Sequence, residues 1–319
     1  MSDRYIGLDI GGTKCAAVLG FVDGDIHIED KLYFLTEGQA PSVILEKFGE
    51  FIVDKKGKYE IKGIGISCGG PLDSKRGVIM KPPSLPLWDD IYIVDYFEKK
   101  FGIPTFLQND ANACAVAEWK FGAGAKCDDM VFLTFGTGFG AGLILNGKLY
   151  SGANDNAGEI GHVRLTGKGP IGYGKNGSCE GYCSGSGMVR LATEIGKKQK
   201  YKSSFDEYLS TVGGHDEISA KTIAEYARKG NEFCLAVYKK SGEMLGRSLA
   251  ALVDILNPEK IVIGGIFMRA NDLLLPDCEK VLKKESLCYS YEKVKILPAG
   301  LGESIGDYAA LSVAAGDYL

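Results

Sequence analysis

Tyr5-Ile6-Gly7-Leu8-Asp9-Ile10-Gly11-Gly12-Thr13-Lys14 decides how the rest of the chain is read. Six residues of strand character run into a glycine pair. Lys14–Phe21 then reads as a second strand, ended by the hairpin signal Asp23-Gly24. A glycine turn between two strands leaves backbone N–H groups to face phosphate oxygens, which makes a small anion nest. In that setting Asp9 is placed to hold a hydrated Mg²⁺, and Thr13 and Lys14 to meet the phosphates. Taken alone, the stretch is explained equally well as a bare hairpin turn.

The layout recurs downstream. Met130–Phe135 reads as a strand, Gly136-Thr137-Gly138-Phe139-Gly140 as a glycine turn, Ala141–Leu145 as a strand and Asn146-Gly147 as a hairpin. This weak repeat predicts two similarly built halves. The second turn mimics the start of a dinucleotide fingerprint, but that motif needs a helix after its glycines and here a strand follows, so NAD binding is rejected. No GK[ST] phosphate loop is present.

Lys62–Ser67 reads as a buried strand, and Ala111–Trp119 as a helix begun by Asn109-Asp110 and stopped at Gly122. Further on, Ser219–Lys229 and Glu232–Leu256 are helical patterns, the second with a core stripe at Leu245, Leu249, Leu252 and Leu256. Lys260–Ile263 is another strand, followed by a third glycine turn at Gly264-Gly265, and the polar stretch Lys197–Glu217 reads as a surface excursion. Alternating strands and helices predict an α/β fold, and two hairpin-led halves predict two lobes with a cleft.

Composition narrows the function. A chain of 319 residues exceeds one compact core. Its net charge of −4, from 37 basic and 41 acidic residues without like-charge blocks, predicts no nucleic-acid partner. Met1-Ser2-Asp3-Arg4 opens no leader and no apolar run reaches membrane-spanning length, so a cytoplasmic protein with no membrane partner is expected. The nine cysteines are odd in number and scattered, as reduced buried thiols are.

At the start of its helix, Asp110 either caps the backbone or serves as a base, since the helix dipole favours its anion. Asn109, Glu159, His162 and Glu180 carry the directional donors and acceptors that fix a neutral sugar. His162 by itself is as readily a structural histidine.

Six segments in chain order resemble the sugar kinases of the ROK group in the actin/hexokinase superfamily. They are Asp9-x-Gly11-Gly12-Thr13, Gly65-x-Ser67-x-Gly69-Gly70-Pro71-x-Asp73, Asn109-Asp110-Ala111-Asn112 with Ala117-Glu118, Gly136-Thr137-Gly138-x-Gly140, Gly158-Glu159-x-Gly161-His162, and Gly264-Gly265. The resemblance implies an α/β fold of two RNase H-like, actin/hexokinase-type lobes with an interlobe cleft. Residues 1–108 plus 302–319 would form the small N-terminal lobe and 109–301 the large C-terminal lobe, with Gly302–Leu319 helical. It implies ATP and Mg²⁺ as cofactors, with Asp9 holding Mg²⁺ through water. The turns at Gly11, Gly12, Thr13 and Lys14 and at Gly136, Thr137, Gly138 and Gly140 would take the phosphates, and Gly264 and Gly265 would lie near the nucleoside. Asp110 would be the catalytic base, and Gly70, Ser84, Asn109, Asp110, Glu159, His162 and Glu180 would contact a hexose or N-acetylhexosamine phosphorylated on its 6-OH. Since relatives commonly pair, a homodimer is allowed.

The chain departs from the pattern after His162. Many ROK kinases carry three zinc-ligating cysteines there, at positions held here by Ile171, Tyr173 and Ser178. No structural zinc is expected, because Cys179 and Cys183 with His162 make an incomplete set at new spacing; packing, with Tyr173 filling the gap, would hold the loop. Ser84 stands where many relatives have Asn, and Cys68 where many have Pro. Gly65-Ile66-Ser67-Cys68-Gly69 mimics a hydrolase elbow, but a turn rather than a helix follows it and His215 is the only histidine after His162. Sugar-responsive ROK repressors carry a helix-turn-helix before the first motif, and the eight residues before Asp9 leave no room for one. A non-catalytic sugar-binding ROK protein is the remaining alternative, against which Asp110 and both phosphate turns stand.

Overall fold

The computed structural model describes residues 2–36 and 39–316. The expected C-terminal helix and small lobe extend to 319, and their residues 317–319 lie outside the described part. The chain forms two compact units, Met1–Asp128 with Gly142–Ala157 and Gly300–Leu319, and Asp129–Ala141 with Gly158–Ala299.

In the first unit β1 (Arg4–Ile10), β2 (Lys14–Val22) and β3 (Ile26–Leu35) form an antiparallel meander. On the other side of β1, β4 (Ile61–Cys68) and then the Thr105–Asn109 strand add in parallel. One face of this sheet is covered by α1 (Pro41–Lys56), which starts with Pro at its first turn where the missing N–H costs nothing. Ile44, Phe48 and Ile52 of α1 are fully buried with Ile6, Leu8, Ile64 and Ile66 of the strands. A three-stranded ribbon, β5 (Leu72–Asp73), β6 (Val78–Ile79) and β7 (Ile91–Tyr92), leads into α2 (Ile93–Phe101). Next come β8 (Thr105–Asn109) and α3 (Asp110–Phe121). β9 (Met130–Phe135) and the start of β10 (Phe139–Leu145) belong to the second unit; the rest of β10 and β11 (Lys148–Leu149) belong to the first.

On its other face the first sheet accepts the Ile305–Ala315 helix at very close range. A Cβ on Gly65 would stand 2.2 Å from Ala314 N, and one on Gly7 2.9 Å from the Ala310 backbone, so glycine in the strands is what lets an alanine-lined helix lie on the sheet.

In the second unit β9 pairs in parallel with β14 (Lys260–Ile263), and β14 with β15 (Lys295–Pro298). Ahead of β14 come the hairpin β12 (Ile171–Gly172) and β13 (Lys175–Asn176), then α4 (Cys179–Tyr182), α5 (Gly185–Gly196), α6 (Lys202–Val212), α7 (Ala220–Arg228) and α8 (Glu232–Leu256). α9 (Ile266–Glu285) and α10 (Cys288–Tyr291) precede β15, and α11 (Ile305–Ala315) follows it. Leu245, Leu249 and Leu252 are buried and Leu256 is half-buried at the end of the stripe. Gly242 and Gly246 bring α8 against the Leu274 and Cys278 carbonyls of α9.

The stretch Lys197–Glu217 differs from the surface excursion expected of it. It contains α6, whose Phe205 and Tyr208 are buried against Phe233. Two aromatic residues three apart on one helix face anchor an otherwise polar segment. Eight cysteines are buried and Cys288 is exposed, and all are free thiols. Among the described residues no helix is long and apolar enough to cross a membrane.

Candidate active site

In the first unit the expected phosphate and sugar residues meet. The Gly11 N–H donates to the Lys14 carbonyl at 3.0 Å and closes the β1–β2 turn, leaving Thr13 and Lys14 exposed. A Cβ on Gly12 would stand 2.7 Å from Ser84 Cβ, so the glycine turn lies directly against the segment that carries Ser84. A Cβ on Gly69 would be 3.8 Å from Ser84 Oγ and 3.9 Å from Asp110 Oδ2, and one on Gly70 3.3 Å from Asn109 Nδ2. Gly12, Gly69, Gly70, Ser84, Asn109 and Asp110 thus surround one small space whose walls glycine keeps thin.

Asn109 is the N-cap of α3, its Oδ1 accepting from Ala111 N at 2.9 Å and Asn112 N at 3.2 Å. Asp110 is the first helical residue, and its Oδ1 accepts from Ala111 N at 2.8 Å. Solvent reaches the Asp110 side chain, yet protein crowds it on most sides. Desolvation raises its pKa above the ordinary 3.8 and outweighs the N–H donated by Ala111. The helix start therefore does not hold the anion by itself.

Asp9 is half-buried at the end of β1. Burial pushes its pKa up to about 7, and the negative charges of Asp110 and Asp307 add to this while Lys14 opposes it. The first turn of α11 presses on the same carboxylate, where a Cβ on Gly306 would stand 2.8 Å from Asp9 Oδ2. Buried Asp307 is in turn paired with Lys31 of β3 at 2.5 Å. A crowded carboxylate of this kind fits a hydrated divalent cation, which would relieve the repulsion.

In the second unit the turn after β9 is closed by the Gly136 N–H donating to the Gly138 carbonyl at 3.1 Å, and the Gly185 N–H donates to the Gly136 carbonyl at 2.8 Å. The Gly140 N–H donates to Thr134 Oγ1 at 3.0 Å. Glu180 lies on this turn, with Oε2 accepting from Phe139 N at 3.3 Å and standing 3.1 Å from where a Gly138 Cβ would be. Its pKa is raised, chiefly by burial, against the hydrogen bonds from Phe139 and Tyr173 N–H. The strand predicted after the turn is present as β10. Gly265 adopts φ +66 and would place a Cβ 2.2 Å from the Phe135 carbonyl, so Gly264-Gly265 packs on the end of β9. Glu159 is exposed, and its carbonyl accepts from His162 N at 3.1 Å.

A cavity of about 870 Å³ opens from Gly136 and Thr137 and is walled by α5, α7, α8 and α9, with Ser186, Ser219, Arg228, Tyr238 and Ile266 on its surface. Arg228 is held there by Asp272 at 2.7 and 2.9 Å. Sequence reasoning missed this wall because its residues come from four helices with no shared motif. It also missed Gly306 and Asp307, whose only signal was a glycine and an acid opening an otherwise apolar helix.

The side chains near His162 are engaged with other partners. Ser178 Oγ is taken up by Gly172 O and Gly181 N, Cys179 Sγ lies 2.5 Å from Ser248 Oγ, and burial pushes the Cys179 thiol up to about 12. Zinc binds the thiolate, which this environment disfavours. The Tyr173 ring lies on the His162 ring, with centroids 3.9 Å apart.

An α/β chain built as two units, each opening on a strand, a glycine turn and a second strand, defines the class to which this protein belongs, that of the hexokinase-fold ROK proteins. The ROK family model matches residues 5–316. A glucokinase of Thermotoga maritima is 33% identical over 314 residues, covering 97% of this chain and 96% of its own. The structure of a ROK family glucokinase from Streptomyces griseus in complex with glucose and AMPPNP matches with a TM-score of 0.81 at 29% identity, covering 98% of this chain and 99% of that one. A xylose repressor of Caldicellulosiruptor bescii is 28% identical over 297 residues, covering 91% of this chain and 73% of the repressor. The chain belongs to the ROK family.

Proposed function

We propose that this protein is a sugar kinase that transfers the γ-phosphoryl group of ATP to a hexose or N-acetylhexosamine hydroxyl, the 6-OH, and releases ADP. The observation that carries the reading is the meeting of Gly12, Ser84, Gly69 and Asp110 in one space, which sets a phosphate-binding turn beside an accessible carboxylate. Phosphoryl transfer needs little else from a protein than positioning, charge stabilisation and one proton acceptor. Asp110 is the general base that takes the proton of the attacking hydroxyl. Burial raises its pKa above that of an ordinary aspartate, which makes it a stronger base.

As the family resemblance implies, Asn109, Ser84, the Gly70 backbone, Glu159, His162 and Glu180 orient the sugar. The turns at Gly11–Lys14 and Gly136–Gly140 hold the phosphates, and the cavity walled by α5, α7, α8 and α9 takes the nucleoside, with Gly264-Gly265 beside it. Asp9 holds Mg²⁺ through water, an ion that neutralises phosphate charge when bound. Support also comes from the glucokinases among the relatives.

The test is ADP release, coupled to an optical readout, with ATP, Mg²⁺ and a panel of glucose, mannose, fructose, allose, N-acetylglucosamine and N-acetylmannosamine. Turnover with one of these is the expected result. Sugar binding without ADP release would instead support the second reading, a non-catalytic ROK sugar sensor, which the likeness to a xylose repressor suggests.

A further inference from the structure

Tyr173 and Gly174 form the two-residue tip of the β12–β13 hairpin, at φ +49 and +69. A hairpin turn with both central residues left-handed normally takes Asn-Gly, and a bulky aromatic is disfavoured at its first position. Core packing does not explain the choice, since Tyr173 is 42% exposed.

What the left-handed conformation achieves is a ring contact. The Tyr173 ring covers the His162 ring at 3.9 Å and 32°. The same hairpin reaches His162 a second time through Lys175 Nζ, which donates to the His162 carbonyl at 3.1 Å. Its base is fixed too. Ser178 Oγ donates to Gly172 O at 3.0 Å, and a Cβ on Gly172 would stand 2.5 Å from Gly181 N. Strained residues of this kind cluster at functional sites.

We infer that Tyr173 is a positioning residue of the sugar site, its left-handed conformation laying its ring on His162. This inference rests on the reading that His162 touches sugar. Tyr173 itself touches no reacting atom; it holds the His162 ring in place, and only an aromatic side chain supplies that cover.

The experiment compares wild type with Tyr173→Asn, Tyr173→Phe and His162→Ala, by calorimetric binding of glucose, N-acetylglucosamine and N-acetylmannosamine, binding of AMPPNP, and Tm. Asn suits the turn, so Tyr173→Asn keeps or raises Tm and leaves AMPPNP affinity within twofold. Its sugar Kd rises about tenfold. Tyr173→Phe restores sugar affinity. The inference is overturned if Tyr173→Asn binds sugar within twofold of wild type, or if it lowers Tm and weakens sugar and nucleotide alike. His162→Ala separates the two ideas: normal sugar binding by that variant, or no binding by the wild type, sinks the sugar-site reading. Weak binding by His162→Ala beside normal binding by Tyr173→Asn sinks the role of Tyr173 alone.

Discussion

Asp110 lies one residue inside its helix, with Asn109 as the N-cap, and its own Oδ1 accepts from Ala111 N. Asp110→Asn is an isosteric test of the proposed base. Turnover should fall by about 10²–10⁴-fold while sugar KM stays within about threefold, as steady-state kinetics would show. The signs of two pKa shifts add a pH test. Both Asp110 and Glu180 are raised by burial, so each takes up its proton at a higher pH than a free carboxyl group. As pH falls, kcat should therefore be lost through Asp110, and sugar KM should rise through Glu180, above the ordinary carboxylate values of 3.8 and 4.5. Glu180→Gln should remove the KM limb and leave the kcat limb in place. The charge and acceptor residues were legible in the sequence because they stand in short local motifs. The sign of the Asp110 shift was not, since desolvation depends on residues distant in sequence such as Gly69, where a Cβ would stand 3.9 Å from Asp110 Oδ2.

At the scale of elements, α3 is secured at both ends. Asn109→Ala removes the cap and should cost about 1 kcal/mol, read as a fall in Tm of about 2–4 °C. Two turns further on, buried Glu118 accepts from Ala123 N at 2.8 Å, Gly300 N at 3.0 Å and Leu301 N at 2.8 Å. Glu118→Gln would turn an amide donor toward N–H donors. It should cost about 1.5–3 kcal/mol in urea unfolding, with the sugar site intact once folded. A loss below 0.5 kcal/mol would show the clamp to be redundant. Most elements were readable from period and punctuation: β9, α8 and β14 fall where apolar pattern and glycine or proline predicted them. α6 was not, because its few apolar residues, Phe205, Tyr208, Leu209 and Val212, stand in a run rich in lysine, serine and acidic residues. The β12–β13 hairpin was equally silent, since its turn carries tyrosine where the usual signal is asparagine.

For the whole molecule, the two units differ in how much of their chemistry is local. The first unit's site is built from segments with recognisable sequences. The second unit's cavity is a surface shared by α5, α7, α8 and α9, and no single stretch announces it. Narrowing that cavity with Val189→Trp should raise KM for ATP at least tenfold while sugar affinity, measured by calorimetry, is unchanged; equal losses for both ligands would count against a nucleoside there. The docking of α11 on Gly7 and Gly65 carries a consequence for biosynthesis. The glycine-faced strands β1 and β4 emerge from the ribosome early, but the helix that covers them follows the whole of residues 158–299. At about 5–20 residues per second, the nascent first sheet would wait roughly ten to forty seconds with one face bare. During that interval it is a natural client for chaperones.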